Sequence, residues 1–429
     1  MPTLAELSTP GQRKSFRIRA YAAACSGSFA DLLLDNSAII LLYFTMLNAG
    51  VSTIMFTTSI SGIVGMCLMI PTAGIVDKFG PKKIVNFGCS LSCFGYLFTA
   101  CAPFFGAFAH YAALLGVILI CIPRPLWSAA WYPILSQILL PEERGNFLGF
   151  MRFSYNIIIG CVFFLIGVFM GKNPPILLLQ VIVAIVGFMM LGRCYFINTL
   201  PLPPHVPQKY DLKKALSISV KNGPLIGFSV YVCFVQCAFA PVLPMTLIYL
   251  KSSIGLPDNT VQQISSIGIF GSICAFFLYG RMVKRFGLRN LELAVHLLFI
   301  LIPLALAFCR GFAHCEYVIA GLFLAGYFAA SIFGCAWSQE ILSLARPGNI
   351  TMANAFSSTY SQIGGAAGRS SASFLLGCGA LAGSWSFGGL PFSNFQTIFL
   401  FCAFFAFFAL VLIFCLPSVV PHHEDYYAP

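Results

Sequence analysis

Charge is scarce in this sequence. Of its 429 residues only 9% are Asp, Glu, Lys or Arg, while 59% are hydrophobic. An ordinary soluble domain carries roughly 25% charged residues, and a chain this long could not cover a water-facing surface with so few. Signatures of chemistry are missing as well. There is no Walker-type phosphate loop, no G-x-S-x-G and no H-E-x-x-H, which argues against ATP-driven work and against an enzyme. The 17 cysteines form no C-x-x-C pair and no Cys/His spacing suited to zinc, so no metal or other cofactor is expected. Most lie inside apolar segments, such as Cys89 with Cys93 and Cys233 with Cys237, and read as small hydrophobes in helix packing. Only Cys309 and Cys315 flank a short loop where a disulfide is conceivable.

The chain is rich instead in apolar length. A spanning helix needs roughly 20 mostly apolar residues. That ruler marks segments near 20–46, 52–72, 84–104, 111–139, 146–170 and 176–199, then near 223–250, 259–279, 291–309, 317–341, 353–380 and 395–416. The expected fold is an all-α membrane protein of about twelve transmembrane helices in two six-helix bundles. Its parts are an N-terminal segment 1–19, a bundle 20–199, a polar linker 200–222, a second bundle 223–416 and a tail 417–429. The start resembles a signal peptide, with Arg13, Lys14, Arg17 and Arg19 and an Ala22-Ala23-Ala24-Cys25 run. Almost no apolar stretch separates those charges from Cys25, however, and Asp31 and Asp35 interrupt the residues beyond it, so a retained first helix is expected.

The net charge of +11 forms no single basic stripe and implies no nucleic-acid partner. With the N-terminus inside, the inner loops hold Arg13 to Arg19, Lys78 to Lys83, Arg144 and Arg152, Arg193 with Lys209, Lys213, Lys214 and Lys221, Arg281 to Arg289, and Arg346. The outer loops hold only Lys172, Lys251 and Arg310. Such a bias orients helices and predicts both termini in the cytoplasm, in a plasma or inner membrane. The lipid bilayer is the expected surroundings and a monomer the expected state.

The halves repeat. Ala73-Gly74-Ile75-Val76-Asp77-Lys78-Phe79-Gly80-Pro81-Lys82, between helices 2 and 3, aligns without a gap with Gly280-Arg281-Met282-Val283-Lys284-Arg285-Phe286-Gly287-Leu288-Arg289, between helices 8 and 9, 207 residues later. A second pair follows helices 4 and 10: Ile138-Leu139 to Arg144-Gly145-Asn146, and Ile341-Leu342 to Arg346-Pro347-Gly348-Asn349. A parallel repeat of six helices suits a carrier that rocks one half against the other.

With these motifs the chain resembles the major facilitator superfamily along essentially its whole length. The family's loop between helices 2 and 3 reads roughly G-x-L-A-D-R-x-G-R-R. Asp77, Lys78, Gly80 and Lys82 match it; Ala73 replaces the first glycine and Pro81 a basic residue. The second copy keeps Gly280, Arg285, Gly287 and Arg289 but has Lys284 in place of the acid. Gly80 and Gly287 permit tight turns. The resemblance implies that Asp77 contacts the positive N-terminal end of helix 11 and helps lock the outward-open state; Lys78, Lys82 and Arg289 of the two loops, and Glu340 near the cytoplasmic end of helix 10, are further gating candidates. A plain topology signal fits the same residues.

Four ionisable groups fall near mid-bilayer: Asp31 and Asp35 in helix 1, Arg124 in helix 4 and Arg369 in helix 11. Each costs roughly 2.5 to 3.5 kcal/mol at a helix centre. Asp31 and Asp35 are four apart and share a helix face with Ser28. The resemblance implies that helices 1, 4, 7 and 10 line a central cavity and that Arg124 occupies the place of the family's helix-4 arginine. Relatives with this arginine and acids in helix 1 are commonly proton-coupled. An aspartate would then exchange protons under the influence of Arg124, because a nearby cation favours the carboxylate form and burial the acid form. A static ion pair that sets helix packing is the alternative. Arg369 follows Gly364, Gly365, Ala366, Ala367 and Gly368, small residues that let helices approach; it would contact an anionic substrate or pair with an aspartate. Two arginines against two aspartates suggest a pocket of mixed charge.

Trp127 and Trp131 share a face with Arg124 and, with Tyr231, Gln236 and Trp337, are candidates for a binding pocket; ordinary packing fits each of them as well. His296 in helix 9 reads as structural, and His422 and His423 lie in the tail. The function expected is secondary transport of a small polar or organic solute by alternating access, with proton symport first. Proton-driven export of drugs or metabolites comes second, disfavoured because helix 5 lacks the export branch's Gly-Pro pair. Uncoupled facilitation comes third.

Overall fold

The computed structural model describes residues 4–204, 211–309, 314–346 and 349–415. Arg310, Lys209 and the tail 417–429 with His422 and His423 lie outside the described residues. Among the described residues twelve helical rods succeed one another. Helix 1 is broken into Pro10–Asp35 and Ile39–Met46, bent by 52°. Helix 2 is Val51–Phe79, helix 3 Pro81–Ala100, and helix 4 runs as Ala109–Cys121 and Pro123–Ile138. Helix 5 is Pro141–Phe169 and helix 6 Ile176–Asn198. Helix 7 is again broken, into Gly223–Phe239 and Val242–Ser252. Helix 8 is Asp258–Phe286, helix 9 Leu288–Phe308, helix 10 Cys315–Leu344, helix 11 Ile350–Gly377 and helix 12 Asn394–Cys415.

Among the described residues nine of these stretches are long and apolar enough to cross a membrane, ten if the two parts of helix 1 count as one span. Helices 3 and 11 fall short for a physical reason. Helix 3 opens on Lys82, Lys83 and Asn86. Helix 11 carries Ser357, Ser358, Thr359 and Ser361, four hydroxyl residues that are buried within the protein. Lipid-facing positions show the inverse pattern: Phe169, Phe188, Phe404 and Phe407 stand exposed.

The turn motifs are more helical than expected. Ala73–Phe79 and Gly280–Phe286 are the last turns of helices 2 and 8, and each loop shrinks to one glycine. Gly80 has φ 87° and Gly287 φ 77°, a region that a residue with a Cβ enters at a cost. Pro81 fits because the first position of helix 3 needs no N–H donor. Helix 1 begins at Pro10, ten residues before the expected start, under a capping box in which Thr9 and Gln12 exchange hydrogen bonds. The linker also holds structure. Leu212–Val220 is a helix capped by the Asp211 side chain, tied to the start of helix 11 where Asn349 donates to Ala215 O at 3.2 Å and to Ser219 Oγ at 3.0 Å. Cys309 and Cys315 are both free, so no disulfide joins them. Between helices 11 and 12 lies a hairpin, Trp385–Phe387 against Leu390–Phe392. Gly388 and Gly389, both at positive φ, make the two-residue turn such a hairpin prefers.

Packing obeys a pseudo-twofold. Helix 1 packs on 6, 3 on 6, 3 on 4 and 2 on 4; the equivalents 7 on 12, 9 on 12, 9 on 10 and 8 on 10 recur in the second half. Two seams join the halves, helix 2 with 11 and helix 5 with 8. Glycines set both seams. A Cβ added to Gly62 would lie 2.9 Å from Ala366 N, and one added to Gly160 would lie 3.1 Å from Ile269 Cγ2. Ile269 stands 207 residues after Gly62, so the repeat maps one seam onto the other.

Candidate functional site

Helices 1 and 7 break beside the same cavity. Helix 1 stops at Asp35, and helix 7 stops at Phe239, before Ala240 and Pro241. The cause in helix 7 is proline: Pro241 and Pro244 lack the N–H groups that would bond Cys237 O and Ala240 O. Between the breaks is a cavity of about 540 Å³, lined among others by Asp31, Asp35, Arg124, Trp127, Gln236, Tyr327 and Arg369. Met69 and Ser128 belong both to this cavity and to a vestibule of about 490 Å³ lined by Arg152, Tyr279, Ser338 and Asn354. The vestibule reaches toward the end of the molecule that carries Gly80 and Gly287, here termed the basic end.

The other end is closed by hydrogen bonds between the halves. Ser52 Oγ donates to Ser373 O at 2.8 Å, Ser265 Oγ to Asn36 O at 2.7 Å, Ser37 Oγ to Gln262 Oε1 at 3.1 Å and Gln263 Nε2 to Gly167 O at 3.3 Å. Among the described residues these bonds tie the halves together at that end, while the vestibule adjoins the cavity at the basic end.

The charges within it form a chain. Arg124 grips Asp35 with two nitrogens: Nη1 donates to Oδ1 at 2.9 Å, and Nη2 contacts Oδ2. Nη1 also donates to Ser61 Oγ at 2.8 Å. Arg124 Nε lies 3.6 Å from Asp31 Oδ1. The other oxygen of Asp31 accepts from Arg193 Nη2 at 2.9 Å. Arg193, expected in a loop, is instead 2% exposed in helix 6, with its guanidinium 4.0 Å above the ring of Trp127. A cation on an indole face gains further attraction when desolvated. Gly27 makes room for it: a Cβ there would lie 1.5 Å from Arg193 Nε. The expectation of two arginines against two aspartates is thus corrected to three against two.

Other candidates fall in several places. Gln236 and Trp127 line the cavity. Trp131 stacks on Trp127 at 4.6 Å and lines a side cavity of about 190 Å³ with Asp31, Tyr155 and Arg193. Tyr231 is not among the cavity residues. It is fully buried, its hydroxyl 3.1 Å from His296 Nδ1, while His296 Nε2 sits 2.7 Å from Ala406 O; the pair fastens helix 7 to helices 9 and 12. Trp337 donates to Ser357 Oγ at 3.0 Å, between helices 10 and 11. Lys82 Nζ donates to Asn198 O and Leu200 O, at 2.8 and 3.1 Å. It thus caps the negative end of helix 6 within the first half, without crossing to the second. Lys78 lies over the Phe79 ring, Asp77 sits in the last turn of helix 2 and Arg289 in the first of helix 9. Glu340 is fully buried near the end of helix 10. Glu292 of helix 9, unremarked in the sequence, is 2% exposed, and neither of its carboxylate oxygens has a hydrogen bond among the described residues.

Arg369 projects from helix 11 beside the break in helix 7. Its Nε donates to Ala240 O at 3.2 Å, the carbonyl orphaned by Pro244, and Nη1 donates to Thr58 O at 2.7 Å. It reaches there because Gly364 and Gly368 press helix 11 onto helix 7: added Cβ atoms would lie 2.1 Å from Cys233 O and 2.2 Å from Cys237 O. No carboxylate of the described residues lies within ion-pair distance of Arg369.

Comparison with known proteins agrees with this architecture. Residues 23–369 match the profile of the Major Facilitator Superfamily. The structure is similar to the D-xylose-proton symporter, with TM-score 0.68 and 12% identity over 91% of this chain and 97% of that one. It is similar to the nucleoside transporter NupG, with TM-score 0.67 and 14% identity over 96% and 99%. A bacterial homologue of the iron transporter ferroportin in its inward-facing state scores 0.65, with 14% identity over 98% and 100%; its outward-facing state scores 0.61. No curated protein sequence matches the chain.

Proposed function

From the premise that this chain belongs to the major facilitator superfamily, and is a multi-pass membrane transporter and no enzyme, we propose that it is a proton-coupled symporter of a small organic solute. The observation that carries this is the shared hold on Asp31. One carboxylate, about a third exposed to the cavity, lies between Arg124 and the buried Arg193. Asp35 beside it takes the other side of Arg124. Protonating Asp31 or Asp35 removes a negative charge from this chain and frees arginine donors, so a proton changes what the cavity can bind. A static pair has no use for carboxylates left in contact with a cavity of about 540 Å³ at the meeting of the two halves.

The basic end faces the cytoplasm in this reading, because the positive charges gather there. The cavity then opens inward and the hydrogen-bonded end is the closed outer gate. Alternation requires the basic end to close. Contacts between helices 2 and 11 run antiparallel, Gly62 against Ala366 and Gly65 against Gln362. The same register carried to the end of helix 2 sets Asp77 opposite Ile350, the first residue of helix 11. A carboxylate at a helix N-terminus is favourable, which supports Asp77 as a lock of the outward-open state, with Gly80 and Gly287 as the turns.

The test is proton movement. The purified protein is reconstituted into vesicles that enclose a pH-sensitive dye, and a metabolite panel is added outside. A solute that drives proton influx through the wild type, with influx lost in Asp31→Asn or Asp35→Asn, is the expected result. Solute uptake that is unchanged in both variants under a proton gradient would discard coupling.

A further inference from the structure

We propose that the transported solute is an organic monoanion, most simply a carboxylate, whose charge sits on Arg369. The proposal deepens the transport reading and rests on it.

Five charged side chains belong to the cavity and its wall: Asp31, Asp35, Arg124, Arg369 and, behind Asp31, Arg193. Both carboxylates are already engaged by Arg124 and Arg193. Arg369 is left over. Its two hydrogen bonds go to main-chain carbonyls of helices 7 and 2, which orient the guanidinium but do not neutralise it. A guanidinium has five N–H donors, and Nη2 has no hydrogen bond among the described residues. Asp35 lines the same cavity, but it is paired with Arg124; a cation without an ion pair of its own in a membrane interior is expensive and persists where a ligand brings the missing charge. The planar fork matches a carboxylate by two-point contact.

The surroundings suit the rest of such a molecule. Gln236 and Gln362 offer amides, Tyr327 a phenol, and Trp127 and Phe239 flat apolar faces, all on the same cavity. Arg369 sits at the orphaned Ala240 carbonyl of helix 7 and against Thr58 of helix 2, so it touches both halves. An anion on it lies at their seam, where occupancy is felt by both.

Binding is measured in detergent without any gradient, as thermal stabilisation of the purified full-length protein. The probes are matched pairs of equal shape: a broad panel of carboxylates, among them lactate, benzoate and nicotinate, each beside its primary amide. One or more carboxylates should stabilise the wild type where their amides do not. R369Q should weaken that binding about ten- to hundredfold, the range for losing charge-assisted hydrogen bonds. R369K, which keeps charge without the fork, should retain the preference for anions with weaker binding. The wild-type comparison decides even if R369Q does not fold. Amides that match the carboxylates, a panel in which no carboxylate stabilises, or an R369Q protein with undiminished carboxylate affinity would each overturn the proposal. Carboxylate selectivity without proton influx in vesicles leaves the proposal standing and removes coupling; influx driven by an uncharged solute does the reverse.

Discussion

Arg193 holds Asp31 from behind, 2.9 Å away and almost wholly out of solvent, so the carboxylate that faces the cavity is anchored in the body of the first bundle. Asp31 is a joint between helix 1, helix 4 through Arg124, and helix 6.

Gly27→Ala tests that joint without touching a charge. The new methyl would stand 1.5 Å from Arg193 Nε, so the guanidinium must shift, which strains its hold on Asp31. Losing one partner of a buried ion pair costs about 3–5 kcal/mol; with Asp31 partly hydrated, a loss of about 2 kcal/mol is expected. Unfolding followed by tryptophan fluorescence measures it. In an Arg193→Ala background the same change should cost much less, because the space is vacant. Equal costs in both backgrounds would mean that Arg193 does not occupy Gly27's face.

Helix 11 supplies a paired comparison. Gly364→Ala and Gly368→Ala drive a methyl into the Cys233 and Cys237 carbonyls, and overpacking of this kind costs about 1–3 kcal/mol. Gly365→Ala, whose nearest neighbour is the Ala240 methyl at 3.8 Å, should be close to neutral. Apparent melting temperatures should rank the three accordingly.

The closed end can be stapled. Ser52 and Ser373 hydroxyls lie 3.2 Å apart, close enough for cysteines to bridge once the side chains turn. With the exposed native cysteines replaced, S52C/S373C should oxidise readily and stop transport, and reduction should restore it. A labelled cysteine at Ser128, in the open cavity, should stay reactive in the oxidised protein. Its protection instead would mean that the staple does not hold the open form.

Arg124→Lys should not substitute. Lysine has no fork for both oxygens of Asp35 and the Ser61 hydroxyl together. Solute-driven proton influx should fall by about tenfold or more, while the amount of folded protein, read by size-exclusion chromatography, is kept.

One proton and one monoanion crossing together carry no net charge. Uptake of the carboxylate selected in the binding panel should track the pH difference and ignore a potential set by potassium and valinomycin. Acceleration by an inside-negative potential would require more protons than negative charges per cycle.

Much of the architecture was visible in the linear chain. Scarce charge, apolar runs of spanning length and the 207-residue repeat led to the twelve-helix class, and Asp31, Asp35, Arg124 and Arg369 stood out because ionised groups are costly in lipid. Arg193 did not, since an arginine six residues before the end of an apolar run reads as a loop charge; its partner lies 162 residues away. Tyr231 was misplaced for the converse reason. A polar aromatic on a pocket-lining helix says nothing of which face it takes, and here His296 draws it away.

The primary structure by itself determined the solvent, because the composition suits only a bilayer, and the number and pairing of the helices, because the spans and the repeat are local patterns. It also set which residues are ionised where ionisation is expensive. Only the tertiary structure decided which charges meet. Pairing depends on helix rotation and contact register, which are set by the glycines that let backbones touch and the prolines that interrupt helix 7. The third arginine against two carboxylates, and with it the leftover positive charge on Arg369, exists only once the chain is folded.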